Sequence, residues 1–179
     1  LYNSLGEYPK ALDYYQQALA IHKQVNNKAE EGTTLNNIGM VYDYSGEYSK
    51  ALDYYQQALA IHKQVANKEL KGTTLNNIGE IYRNLGEYSK ALDYFQQALA
   101  IHKQVANKAE EGITLTNLGS IYVNLGKYPK ALHYSQQALA IHKQIDNKAL
   151  EGITLNNIAV IFRDEKQPKL AIVFYKKSV

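Results

Sequence analysis

Apolar residues recur at steps of three and four along most of the chain, in blocks separated by short polar breaks. From Asn67 onward, Leu75, Ile78, Gly79, Tyr82 and Leu85 form one stripe; Ala91, Leu92, Phe95, Ala98, Leu99 and Val105 form the next. That spacing is the period of an α-helix with one buried face. Gly86-Glu87-Tyr88 interrupts the two stripes, and a glycine there suits a helix C-terminus. Ser49 and Ser89 stand where they can cap the helices that follow. Pro9 and Pro129 fall at equivalent helix starts, where a missing N–H costs nothing. Asn107-Lys108 turns the chain again, and Glu110-Glu111 enter the next helix's first turn, where the macrodipole favours acids. The pattern predicts about nine helices of roughly 11 to 18 residues, joined by short turns, with no strands.

The helices come in repeating pairs. Gly46 to Leu85 matches Gly6 to Ser45 at 30 of 40 positions, and Gly86 to Leu125 matches it in turn at 31 of 40. One unit therefore recurs from Gly6, Gly46, Gly86 and Gly126. A single array spans 1–179: a partial repeat at 1–27, full repeats at 28–67, 68–107 and 108–147, and a divergent, truncated repeat at 148–179. Gly79 and Ala98 lack bulk where paired helices are expected to cross, with Tyr82, Tyr88 and Phe95 filling the space around them. One pair cannot bury both its faces, so each is expected to stack on the next.

At these residues the sequence resembles the tetratricopeptide repeat family. Gly79, Tyr82, Gly86, Tyr88, Ala91, Phe95 and Ala98 stand at the family's signature spacings. The set recurs as Gly39, Tyr42, Gly46, Tyr48, Ala51, Tyr55 and Ala58. A third copy, Gly119, Tyr122, Gly126, Tyr128, Ala131 and Ala138, has Ser135 in place of the aromatic. The family's common period is shorter, roughly 34 residues. The longer form here resembles the repeats of spindle-orientation adaptors, kinesin light chains and bacterial peptide-sensing regulators. The NKAEEG segment is similar to the adaptor type. The resemblance implies an all-α, right-handed superhelical solenoid of antiparallel helix pairs whose first helices line a concave groove.

Composition adds mainly exclusions. Twenty Lys and Arg against seventeen Asp and Glu leave a net charge of +3, interspersed, too weak a bias to imply nucleic acid or a membrane surface. Cysteine is absent, which excludes disulfides and thiolate metal sites and fits a reducing compartment, so a cytoplasmic location is expected. No apolar run approaches the ~20 residues of a membrane span. No catalytic constellation and no Gly-rich phosphate loop is present; the expectation is a protein without enzymatic activity or cofactor. His22, His62, His102 and His142 recur in the motif IHKQ. Copies on neighbouring repeats are expected ~8–10 Å apart or more, whereas nitrogens sharing one zinc lie about 3–3.5 Å apart. The histidines are therefore expected to be half-buried flanking residues, not metal ligands. The tyrosine pairs Tyr14-Tyr15 and Tyr54-Tyr55 are read as packing, and Gln56-Gln57 and Gln96-Gln97 as a solvated face.

The candidate binding surface is the exposed face of the first helices. It carries Asn36, Asn37, Asn76, Asn77, Glu80, Arg83, Asn84, Asn117, Asn124, Asn156 and Asn157, with Thr73 beside them and Thr116 in place of one asparagine. A primary amide both donates and accepts, so a row of them can hold a peptide backbone in either register. In the resembling families, groove asparagines hold bound peptide backbones; Asn37, Asn77, Asn117 and Asn157 would inherit that role. The repeats differ mostly here: Met40, Glu80, Ser120 and Val160 share one position, Asp43, Arg83, Val123 and Arg163 another. A constant scaffold with a varied face is what specificity requires. Glu80 lies one turn from Arg83, so the face is expected to be mixed in charge, with no dominant basic clamp.

The expected partner is a protein or peptide, with a regulatory or a structural-spacer role as alternatives. The tail departs from the repeat: Ala159 replaces the glycine, Lys166 and Pro168 replace the Gly and Tyr of the turn, and Leu170 to Tyr175 are apolar all round. A terminal repeat should be polar outside. The chain is thus expected to be part of a longer protein and, by itself, to associate end to end through Leu170, Ile172, Val173, Phe174 and Tyr175 and through the Tyr14-Tyr15 helix. The final stretch of the tail resembles the last repeat before a CHAT domain, a caspase-like peptidase module, in cyanobacterial-type proteins, which implies a sensor of a downstream peptidase.

Overall fold

The computed structural model describes residues 7–177. They form nine helices: α1 (Tyr8–Gln24), α2 (Lys28–Tyr44), α3 (Tyr48–Gln64), α4 (Lys68–Asn84), α5 (Tyr88–Gln104), α6 (Lys108–Asn124), α7 (Tyr128–Gln144), α8 (Lys148–Asp164) and α9 (Pro168–Lys177). No strand occurs among the described residues. The even-numbered helices are the first members of each pair and the odd-numbered ones the second. The chain divides into two compact units, one through Tyr94 and one from Phe95 on.

The connections between helices are equally short and close in the same way. Asn27 N–H reaches back to His22 O at 2.9 Å and Asn26 N–H to Lys23 O at 3.2 Å; Glu47 N–H reaches Tyr42 O at 2.8 Å and Gly46 N–H Asp43 O at 2.9 Å. These paired bonds satisfy the last helical carbonyls and require a left-handed middle residue. Gly46, Gly86 and Gly126 supply it at φ 78°, 75° and 66°; Asn26, Ala66, Ala106, Asp146 and Lys166 are forced into it at φ 52–60°. The repeat thus reverses direction twice per period with one kind of joint.

The helix starts differ from expectation. Ser49 and Ser89 lie inside α3 and α5, whose first residues are Tyr48 and Tyr88. The residue before α3 is Glu47, and its side chain makes no capping bond. The caps sit on the first helices instead: the side chains of Asn27, Asn67, Asn107 and Asn147 accept the backbone N–H of Glu30, Leu70, Glu110 and Leu150 at 3.0–3.3 Å. Asparagine accepts such a bond as well as serine does. Pro9 and Pro129 stand in the first turns of their helices, as the sequence predicts.

In the N-terminal unit the core gathers Ala51 and Tyr55 of α3 with Ile78 and Ile81 of α4, ringed by Met40, Tyr42, Leu52, Tyr82 and Tyr94. Gly39 of α2 lies against Tyr55: a Cβ built there would stand 2.7 Å from the ring. In the C-terminal unit Leu115, Ala138 and Ile141 pack together with Leu99 and Tyr134. There Gly119 meets Ser135, the residue standing where the signature has an aromatic. Leu85 leaves its stripe and is 45 % exposed, because it opens the turn and lies past the end of α4. The second tyrosine layer is regular. Tyr42 stacks on Tyr54, Tyr82 on Tyr94 and Tyr122 on Tyr134, each at 5.4 Å between centroids. Lys50, Lys90 and Lys130 lie over the Tyr42, Tyr82 and Tyr122 rings at 5.0–5.5 Å. The glutamine pairs are exposed as expected.

The histidines are buried more deeply than the sequence implies. His62, His102 and His142 are at most 1 % exposed, and only His22 is half-buried. The seats of two of them are made by glycines: Gly32 approaches His62 and Gly112 approaches His142 so closely that a Cβ would lie 2.8 Å and 2.6 Å from the ring Cε1. Burial pushes the His62 and His142 imidazoles below the usual histidine value. Among the described residues no three His, Asp or Glu gather as a metal site. No described helix is long and apolar enough to cross a membrane.

The ends also differ in part. Leu170, Ile172 and Val173 of α9 are exposed, but Phe174 is not: it is half-buried and stacks on Phe162 at 5.3 Å. The Tyr175 side chain lies outside the described part. In α1, Ala11 is buried while Tyr14 is 58 % exposed.

Candidate functional site: the faces of the first helices

In the N-terminal unit the face belongs to α2 and α4. A buried threonine anchors it: Thr74 Oγ1 lies 2.9 Å from Leu70 O and 3.1 Å from Asn36 Oδ1. Asn77 Nδ2 donates to the same Asn36 oxygen at 3.3 Å, and Asn36 Nδ2 reaches Met40 Sδ at 3.7 Å. Asn36 and Asn77, on successive first helices, thus bond each other across the stack. Asn76 is 6 % exposed. Asn37 is half-buried and Asn84 is exposed. Beyond them Glu80 pairs with Arg83 within α4. Burial raises the Asp43 carboxyl, and the nearby Arg83 charge pulls it back. This half of the surface is polar and mixed in charge. Behind it Tyr55 is held protonated, mainly by burial, with Asp43 adding to the effect.

In the C-terminal unit the face belongs to α6 and α8 and has another character. Thr116 Oγ1 lies 3.0 Å from Gly112 O, 3.2 Å from His142 Nε2 and 3.5 Å from Thr154 Oγ1. With the hydroxyl proton on the Gly112 carbonyl, the imidazole Nε2–H donates to Thr116, which sets the tautomer. Asn117 is 7 % exposed. Ser120, Val123, Asn124, Asn157 and Val160 line a depression of about 160 Å³. It brings together two asparagines and three of the varied residues read from the sequence. Asn156 is exposed and lines a wider, open hollow with Lys148, Ala149, Gly152 and Ile153. Arg163 pairs with Asp164.

The sequence reading missed the threonine row. Thr34, Thr74, Thr114 and Thr154 are at most 5 % exposed, and the last three lie 2.8–2.9 Å from the carbonyl four residues earlier. Recurrence of a polar residue inside the apolar stripe was the available signal. It also missed the position of Thr116. Where the other first helices carry asparagine, this threonine bonds His142 Nε2, while His142 Nδ1 has no partner in the protein. Asn36 turns to α4 instead, and neither ring nitrogen of His62 has a hydrogen-bond partner in the protein. One of them carries a proton, and an unmade buried donor costs about 1–3 kcal/mol.

A family model described as Tetratricopeptide repeat matches residues 1–64, 51–104, 70–144 and 110–179, which together cover the chain. No curated protein sequence matches it. Among solved structures it is similar to BtubC (BKLC) from P. vanneervenii, with TM-score 0.89 and 21% identity, covering 99% of this chain and 74% of that one. It is similar to a Rap protein complexed with Competence and Sporulation Factor, with TM-score 0.85 and 20% identity, covering 99% of this chain and 50% of the other. At these identities the likeness establishes the fold. A Signal Transduction ATPase with Numerous Domains with a tetratricopeptide repeat sensor, from Pyrococcus horikoshii, aligns at TM-score 0.82 and 26% identity over 96% of this chain and 28% of that chain.

Proposed function

The chain belongs to the tetratricopeptide repeat family, and from that premise we propose that it is a scaffold that binds a protein or peptide along the faces of its first helices. The observation that carries this reading is the depression in the C-terminal unit, where Asn124 and Asn157 stand beside the varied residues Ser120, Val123 and Val160. Amides there can pair with a backbone while the valines receive an apolar side chain. Asn37, Asn77, Asn84 and Asn156 extend the same reading, with Glu80 and Arg83 favouring a ligand of alternating charge. The likeness to a Rap protein complexed with Competence and Sporulation Factor supports it. Asn117 and Asn76 are poor probes, because their burial makes replacement a test of packing.

The test is selection of displayed peptides on this protein, followed by fluorescence anisotropy with the selected sequences. Asn157→Ala with Val160→Asp should weaken them about tenfold or more, as the loss of one bond and one apolar contact implies. Gln57→Ala, on an exposed second helix, should not. Peptides indifferent to the first pair of changes would refute the reading. Affinity should not climb steadily with ligand negative charge.

A second reading, a sensor within a larger protein, draws on the Pyrococcus horikoshii likeness, since this chain spans only 28% of that one. The CHAT peptidase implied by the tail would be one such arrangement. The gene downstream decides it: a His/Cys pair on an α/β module supports the reading, and a stop codon or another repeat refutes the peptidase form.

A further inference from the structure

The turn between α3 and α4 differs in charge from its three counterparts. The fourth residue of α2, α6 and α8 is Glu31, Glu111 or Glu151; in α4 it is Lys71. Elsewhere the glutamate neutralises the lysine one turn back: Lys28–Glu31 at 2.7 Å, Lys108–Glu111 at 2.7 Å and Lys148–Glu151 at 3.1 Å. Between α7 and α8 the arrangement is fullest. Glu151 also faces Lys143 at 3.9 Å, and Asp146 faces Lys148 at 3.4 Å. Lysines ending one helix and starting the next therefore hold carboxylates between them.

At the α3–α4 turn both carboxylates are gone. Lys71 stands in place of Glu151 and Ala66 in place of Asp146, while Lys63 and Lys68 keep the places of Lys143 and Lys148. Lys63, Lys68 and Lys71 line a cleft of about 310 Å³ together with His62, Ala66 and Asn67. Among the described residues no acid lines it; Glu69, the only acid of that turn, is not among the lining residues. His62 is 1 % exposed, and both its ring nitrogens lack a hydrogen-bond partner in the protein. The N-terminus of α4 opens onto the same place and adds its favourable dipole.

We propose that this cleft is an anion site that takes a phosphate-class dianion, held by Lys63, Lys68 and Lys71 beside His62. A dianion is called for because the related turn uses two carboxylates for two lysines, and here three lysines line a cleft that holds none. The cleft holds far more than one phosphate group, so a phosphomonoester fits together with part of its carrier. Its residues are distinct from those of the first-helix faces. The carrier is either a small phosphate ester or a phosphorylated side chain of a protein.

The experiment is calorimetry and NMR with inorganic phosphate, O-phosphoserine and a phosphoserine peptide as probes. Each should saturate a single site and shift the His62 ring signals, leaving His142 in place. Lys71→Glu restores the residue the other three turns carry and so preserves the fold; it should weaken binding about tenfold or more, by loss of a charge-assisted bond. Lys63→Gln and Lys68→Gln should each weaken it several-fold, and Lys23→Gln at the α1–α2 turn should not. A peptide tighter than O-phosphoserine identifies a modified protein as the source; equal affinities identify a small ester. Absence of saturable binding, binding equal in Lys71→Glu, or His142 shifting as much as His62 would overturn the proposal.

Discussion

Gly39 and Gly119 occupy the same position of the repeat, yet the same substitution should move stability in opposite directions. Alanine in place of glycine inside a helix gains about 0.8–1 kcal/mol of propensity. Against that stands the space each Cβ meets. At Gly39 it would lie 2.7 Å from two carbons of the Tyr55 ring and 3.2 Å from a third. Tyr55 is 1 % exposed and wedged among Ala51, Ile78 and Ile81, so the ring cannot withdraw. Overpacking of that kind costs about 1–3 kcal/mol, and Gly39→Ala should be net destabilising by up to about 2 kcal/mol. At Gly119 the close atom is Ser135 Oγ at 2.7 Å, and the next contacts are ordinary at 3.5 and 3.6 Å. A serine hydroxyl can rotate to another rotamer, so Gly119→Ala should keep up to about 1 kcal/mol of the propensity gain. Urea unfolding followed by far-ultraviolet circular dichroism measures both, with midpoints compared at constant slope because repeat arrays can lose two-state behaviour. Placing Ser135→Tyr beside Gly119→Ala closes a double-mutant cycle, and the pair should show an unfavourable coupling of about 1–3 kcal/mol. If Gly39→Ala and Gly119→Ala move the midpoint equally, or Gly39→Ala raises it, the ring contact does not set the crossing and the argument fails.

Other outcomes follow from the same contacts. His62 and His142 have folded values below the ordinary 6.5, because burial disfavours the charged ring. The unfolded chain therefore takes these protons first, and stability present above about pH 6.5 is lost as pH falls from there toward the lowered folded values. Urea midpoints at pH 7.5 and pH 5 should show the drop, and substituting His62 by glutamine should reduce it. Asn67→Ala should cost about 1 kcal/mol, since it removes the bond to Leu70 N–H, whereas Ser49→Ala should be neutral; equal costs in thermal unfolding would contradict the observed caps. Exposed Leu170, Ile172 and Val173 should drive concentration-dependent association of the isolated chain, visible by light scattering and abolished by Ile172→Lys with Val173→Lys; a monomer at every concentration would show that α9 does not self-pair.

The helices, their pairing and their period were legible in the sequence, because each depends on local chemistry or on repetition. A three-and-four apolar spacing makes one buried face wherever it occurs, and a glycine at a joint needs no distant partner to adopt positive φ. The variable first-helix positions were legible for the same reason, since they can be compared copy against copy. What the tertiary structure decided is which of several competent side chains meet. Ser49 and Asn67 can both cap a helix, and only the true start of each helix assigned the task to asparagine. Thr116 and Asn36 share one repeat position, but one bonds a single nitrogen of a buried histidine and the other reaches the next first helix, because the atoms opposite them differ. The IHKQ histidines look amphipathic in one dimension; the burial of His62 and His142 follows from Gly32 and Gly112, each on the preceding helix, which let two helices close over the ring. Lys71 looks like one more surface charge until the folded turn sets it beside Lys63, Lys68 and an unpartnered His62. Contacts of this kind join residues across helices, where spacing along the chain carries no information about distance.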